Sequence, residues 1–217
     1  MIIDKNLAFD IGAYIGDSIP MIKSFGYKNI VCFEPEPNNF KKLVDNYQSD
    51  PNITFVQKAL SNQSSTIEMI VNPDMPILNT LEKYWTENCR HEQLYNKNNM
   101  YKCLVETITL DECINSIGRI PDYIKLDAEG HGFKILQKLS HKTNMLSFEW
   151  VSEFDEVNLS CIESLSKLGF TKFVICFAEA VQNAESQRYS AQECINKLIE
   201  IKNNDASNSQ WGNIWAT

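Results

Sequence analysis

The chain has 217 residues, 43% of them hydrophobic, enough for one α/β domain with a full core. Its net charge of −8 argues against a protein that grips nucleic acid through phosphates, and Lys41, Lys42 and Lys58 are too few and too separated to make a local basic groove. No apolar run reaches membrane-spanning length, residues 1–6 leave no room for a signal peptide before the first expected strand, and the seven cysteines form no C-x-x-C pair; a cytoplasmic protein with reduced thiols and no membrane partner is expected.

Leu7 to Asp10 reads as a short buried strand that runs into a glycine turn, Asp10-x-Gly12-x-x-x-Gly16. Glycine there admits backbone shapes and ligand approach that a Cβ would obstruct. Asp17 or Ser18 can cap the next helix, with Pro20 in its first turn and Gly26 at its end. Ile30 to Glu34 is the second strand, and its terminal acid can accept hydrogen bonds from a ribose diol. The turn lacks the three glycines of a dinucleotide fingerprint. Its leading carboxylate would repel a pyrophosphate but suits a cation. S-adenosylmethionine, with an ammonium, a sulfonium and a ribose, therefore fits better than NAD.

Pro35 and Pro37 break the chain before an amphipathic helix, Asn38 to Tyr47, and Ile53 to Gln57 is strand three. The βαβαβ series predicts a parallel sheet with helices on both faces. Thr66 to Val71 and Leu104 to Thr109 also read as strands. Between them lies a polar insertion, about 72–101, with a helix expected from a capping box at Asn79 and Glu82 and an apolar stripe of Leu78, Leu81, Tyr84 and Trp85. A segment of this length without a sheet strand reads as a lid. The whole chain, 1–217, reads as a single domain carrying this insertion. Helices are then expected at Leu110 to Ile117, Phe133 to Leu139, Leu159 to Leu168 and Ala191 to Lys202. Strands are expected at Tyr123 to Leu126, Leu146 to Trp150, Lys172 to Phe177 and Asn213 to Ala216, with a loop at 203–210.

Asp127, Glu129 and His131 follow the fourth sheet strand, on the edge where such sheets bind ligands. Histidine titrates near neutrality and can act as a base; Asp127 can do so too, or can hold an amine; Glu129 and Asp127 can equally serve as acids at a helix start. Two acids could hold Mg²⁺, but no third ligand lies near them in sequence, and Cys89-Arg90-His91 has no second ligand pair. No metal is expected. Lys125 can neutralise Asp127, and Glu149 ends the neighbouring strand. The four tryptophans could stack on a sugar, though at least two should be core.

Three blocks together resemble the FkbM family of S-adenosylmethionine-dependent methyltransferases. They are Asp10-Ile11-Gly12-Ala13-Tyr14-Ile15-Gly16-Asp17; Phe33-Glu34-Pro35 with Ala59-Leu60-Ser61 beyond it; and Thr109-Leu110-Asp111 followed by Lys125-Leu126-Asp127-Ala128-Glu129-Gly130-His131. The resemblance implies a Rossmann-like class I methyltransferase fold, α/β with a seven-stranded, mostly parallel sheet and one late antiparallel strand. It implies that Asp10, Gly12 and Gly16 approach the methionine part of the cofactor, that Glu34 holds the ribose, and that Ala59, Leu60 and Ser61 flank the adenine. Tyr14, Asp17, Pro35 and Asp127 are counted with the same cofactor site. Catalysis would rest on Asp127, Glu129 and His131. The acceptor implied is a hydroxyl on a glycan sugar or other small molecule, and a homodimer is an open option. Gly132 departs from the acid that family members often carry there. The rival readings are an NAD-dependent oxidoreductase, a non-catalytic S-adenosylmethionine-binding module and, disfavoured by charge, an RNA methyltransferase.

Overall fold

Strand and helix alternate along the chain much as the hydrophobic pattern dictates. The computed structural model describes residues 6–89, 91–95, 99–182, 185–205, 207 and 209–217. Positions 90 and 96–98 of the expected insertion, and 206 and 208 of the expected loop, lie outside the described residues. The first half comprises β1 (Leu7–Ile11), α1 (Ile19–Ser24), β2 (Asn29–Phe33), α2 (Pro37–Tyr47), β3 (Ile53–Val56), β4 (Ala59–Leu60) and β5 (Thr66–Val71). Then come α3 (Lys83–Asn88), α4 (Glu92–Tyr95), β6 (Tyr101–Ile108), α5 (Leu110–Ile117), β7 (Tyr123–Leu126), α6 (Gly132–Leu136), β8 (Met145–Val151), α7 (Asp155–Lys167), β9 (Phe173–Phe177), α8 (Ala191–Asn204) and β10 (Trp211–Ala216).

Seven strands form one sheet in the order β3-β2-β1-β7-β8-β10-β9. β10 runs antiparallel to β8 and β9, and the remaining neighbours are parallel. This is the class I methyltransferase architecture, with its late reversed strand. Because both faces are covered, the central strands read as apolar runs without alternation. Leu7, Phe9, Ile11, Ile124 and Leu126 pack on one face with Leu110, Ile114, Ile162 and Leu198 from α5, α7 and α8. Ala8, Ile30, Cys32 and Tyr123 pack on the other with Ile19, Ile22 and Leu43 from α1 and α2. The strands expected at Thr66 to Val71 and Leu104 to Thr109 exist but leave the main sheet. With β4 they make a separate three-stranded sheet, β4-β6-β5.

The capping box expected at Asn79 and Glu82 is not there. Asn79 Oδ1 instead accepts from the Asn72 N–H at 2.9 Å, and Glu82 precedes α3 without a side-chain cap. The same signature is real at Thr109/Glu112, before α5, and at Ser190/Glu193, before α8. The expected apolar stripe also divides. Leu78 and Trp85 are buried with Cys89, Tyr95, Val151 and Phe154, Leu81 packs on the β5–β6 cluster, and Tyr84 is exposed. Trp85 stacks on Phe154 with centroids 4.7 Å apart. The inserted segment is thus anchored on the end of β8 and the start of α7. Trp150 and Trp215 are core, as expected for at least two tryptophans. Six of the seven cysteines are buried, Cys103 is half-buried, and none is in a disulfide. Among the described residues, no helix is long and apolar enough to cross a membrane.

Candidate active site

A cavity of about 700 Å³ opens beyond the carboxyl ends of β1, β2 and β7, where the strand order switches direction. Its first wall is the glycine turn. The N–H groups of Gly12 and Ala13 both donate to the Phe33 carbonyl, at 3.1 and 3.0 Å, which ties the end of β1 to the end of β2. Gly12 has φ +76°, and a Cβ there would lie 1.7 Å from the Asp127 carbonyl oxygen. Only glycine lets these three strand ends converge.

Glu34 closes that junction. Its two carboxylate oxygens accept the Tyr14 N–H at 3.0 Å and the Glu36 N–H at 2.9 Å. Burial pushes the carboxyl up to about 8 even though both backbone bonds favour the anion. Each oxygen keeps a second lone-pair direction, and the residue lines the cavity. Gly12, Tyr14, Asp17, Pro35, Ala59, Leu60 and Asp127 line it as well.

Three expected cofactor residues stand behind the wall instead. Asp10 is fully buried, accepts from the Ser18 hydroxyl, and has its carboxyl raised by burial. Gly16 is covered by the Tyr47 ring, whose hydroxyl donates to the Gly16 carbonyl at 3.1 Å. Ser61 is buried against His131. These three hold the wall in shape and do not face the cavity. Lys125 does face it. Its ammonium lies 3.0 Å from Asp127 Oδ2 and 3.8 Å from Asp10 Oδ1. Burial alone would lower the lysine pKa, but the charges of Asp127 and Asp10 outweigh it and hold the ammonium above its usual range.

The turn after β7 brings Asp127, Glu129 and His131 to one cavity. Glu129 and Gly130 have φ of +43° and +86°. The inserted segment clamps this geometry at three points. Thr80 Oγ1 donates to the Glu129 carbonyl at 2.7 Å, the Trp85 ring covers Gly130, and Glu82 Oε1 lies 2.7 Å from His131 Nδ1. His131 Nε2 meets Ser61 Oγ at 3.0 Å. Burial would raise the Glu82 carboxyl, but its bonds to His131 and Lys134 prevail and lower it. The His131 ring is buried, with protein partners on both nitrogens. Sequence reasoning missed Glu82 in this role because its signature matches a helix cap.

Glu149 supplies the third acid that sequence spacing lacked. Oxygen atoms of Asp127, Glu129 and Glu149 lie within 4.8 Å of one another, an arrangement that can receive a cation. Residues 75–81 of the inserted segment, with Val181 and Trp211, complete the lining. Trp211 is the one tryptophan of the four in that lining.

The model of the methyltransferase FkbM domain matches residues 10–172. Over 147 residues the chain is 24% identical to the hexuronic acid methyltransferase AglP of Haloferax volcanii, covering 67% of this chain and 54% of that protein. The chain thus spans about half the length of this curated relative. Among solved structures, the precorrin-6y C5,15-methyltransferase of Geobacter metallireducens superposes with a TM-score of 0.46 at 12% identity, over 99% of this chain and 80% of that one. The fibrillarin of Aeropyrum pernix, solved with natively bound S-adenosyl-L-methionine, gives 0.47 at 9% identity, over 99% and 67%.

Proposed function

We propose, on the ground that the chain belongs to the FkbM family of methyltransferases, that it moves a methyl group from S-adenosylmethionine to a hydroxyl of a sugar. The observation that carries the cofactor half is Glu34: a buried acid at a strand tip, oriented by two N–H bonds and facing a cavity pinched at Gly12. That geometry fits a ribose diol, and the apolar Ala59 and Leu60 fit an adenine face. When bound, S-adenosylmethionine supplies a methyl group on a good leaving group, so the protein's task is to align the acceptor and take its proton. Glu129 is the base in this reading. It lines the cavity, and Thr80 and Trp85 fix the turn that carries it. His131 and Glu82 brace that turn. The inserted segment acts as a fixed wall on the acceptor side, through Met75, Ile77, Leu78 and Leu81.

The sugar acceptor is supported by the named activity of the Haloferax relative and by Trp211, a cavity-lining residue of a type that suits the apolar face of a pyranose. Calorimetric titration of S-adenosylhomocysteine, beside Glu34→Ala, tests the cofactor; no binding by folded wild-type protein overturns the proposal. A sugar panel read by mass spectrometry then tests the acceptor. An alkali-stable product is expected, because an ether survives base, and an alkali-labile product would mean a carboxylate acceptor. Glu129→Gln should lower kcat at least about 100-fold with little change in the S-adenosylhomocysteine Kd.

A further inference from the structure

Lys125 sits between two carboxylates and satisfies one of them. Its ammonium hydrogen-bonds Asp127 Oδ2 at 3.0 Å, while Asp10 Oδ1, at 3.8 Å, is beyond hydrogen-bond reach. Asp10 Oδ1 is fully buried and accepts no hydrogen bond at all; the other Asp10 oxygen takes the Ser18 hydroxyl. A buried carboxylate oxygen left this way is costly, so the fold keeps an empty acceptor beside a three-donor ammonium. Register places the two residues face to face: Asp10 on β1 pairs with Lys125 on the parallel β7. A shift of roughly 1 Å at the end of the lysine chain would bring Nζ within hydrogen-bond distance of Asp10. The two acids differ in access. The Asp127 side chain is 39% exposed and lines the cavity, whereas Asp10 is sealed off.

Resting on the cofactor assignment above, we infer that Lys125 is a swivelling positioning residue: its ammonium leaves Asp127 for the buried Asp10 when the α-ammonium of the bound cofactor takes Asp127. Two ammonium groups held on one carboxylate repel each other. Asp10 gives the displaced lysine a second seat. The exchange turns one shared ion pair into two, and no buried charge is left alone. The acid in the glycine turn thereby serves the cofactor at one remove, through Lys125.

The test is calorimetric titration of two ligands into wild type and Asp10→Asn. S-adenosylhomocysteine carries the α-amino group; methylthioadenosine has the same adenine and ribose without it. Asp10→Asn keeps the side-chain volume and an acceptor for Ser18 but removes the lysine's second seat. S-adenosylhomocysteine should bind about tenfold or more weakly to the variant, with methylthioadenosine changed less than about twofold. Equal weakening of both ligands would mean a merely structural Asp10 and overturn the inference, while the cofactor assignment would stand. If wild type binds neither ligand, both readings fall. If the variant does not fold, a crystal structure of wild type with S-adenosylhomocysteine decides: Lys125 Nζ moved to Asp10 Oδ1 supports the swivel, and Nζ still on Asp127 refutes it.

Discussion

Protonating Glu34 should loosen the protein's hold on the ribose. The carboxyl sits at about 8 in the folded protein, against 4.5 for the free side chain, and burial is the main cause. Two ribose hydroxyls donating to an anionic carboxylate are worth about 1.5–3 kcal/mol each, enough to lower the carboxyl by roughly two to four units in the complex. Ligand binding then takes up the ionised form. Affinity should fall about tenfold per pH unit below 8, and roughly fiftyfold between pH 8 and pH 6. Calorimetric titration of methylthioadenosine across that range isolates the effect, because this ligand lacks the α-amino and α-carboxyl groups of S-adenosylhomocysteine. Glu34→Gln should bind weakly and without a slope. A flat wild-type profile, or an equal slope in Glu34→Gln, would refute the reasoning. The same shift acts on stability with a defined sign. Since the folded value lies above the unfolded one, Glu34 favours the folded state fully below about 4.5 and loses that contribution as pH rises through about 8, by up to about 5 kcal/mol. The ligand-free protein should therefore melt lower at pH 8.5 than at pH 6.5, and the melting-point gain from ligand should grow with pH.

Gly12→Ala places a Cβ against the Asp127 carbonyl in a left-handed turn, so a loss of several kcal/mol or failure to fold is expected in chemical denaturation. Trp85→Ala should cost about 3–5 kcal/mol by emptying the stack on Phe154; a loss under 1 kcal/mol would mean the inserted segment is not anchored there. Thr109→Ala removes the α5 capping box and should cost about 1 kcal/mol in the same assay.

Most of the fold was legible because its signals are local. Tyr123–Leu126, Leu110–Ile117 and Thr66–Val71 fall where strand and helix patterns put them. What the pattern cannot carry is pairing. Nothing in the residues of β5 and β6 says that they join each other and β4 instead of the main sheet. The acid–glycine turn and Glu34 announced themselves because a strand–turn–helix–strand unit fixes their relative placement within 25 residues of chain, Asp10 to Glu34. Glu82, Thr80 and Trp85 did not. They meet the turn at 129–131 across some fifty residues, and at short range Glu82 looks like a helix-start acid. Thr109 and Ser190, each with a glutamate three residues on, carry a similar signature, and there the capping box forms. Asp10 misled in a different way. Its type suited a cationic ligand, but whether a strand-end acid faces outward or is sealed against the next strand depends on register, which only the folded sheet supplies.

The seven thiols give this protein an internal clock for opening. Burial raises the thiols of Cys32, Cys113, Cys161 and Cys194 well above the usual value, so very little reactive thiolate is present in the folded state. Alkylation must then wait for the region around each sulfur to unlock. Cys32 sits in the central sheet, Cys161 and Cys194 in the helical layer, and Cys89 within the inserted segment, in its buried cluster. Pulse alkylation read peptide by peptide would time the release of each region separately, without a single engineered probe.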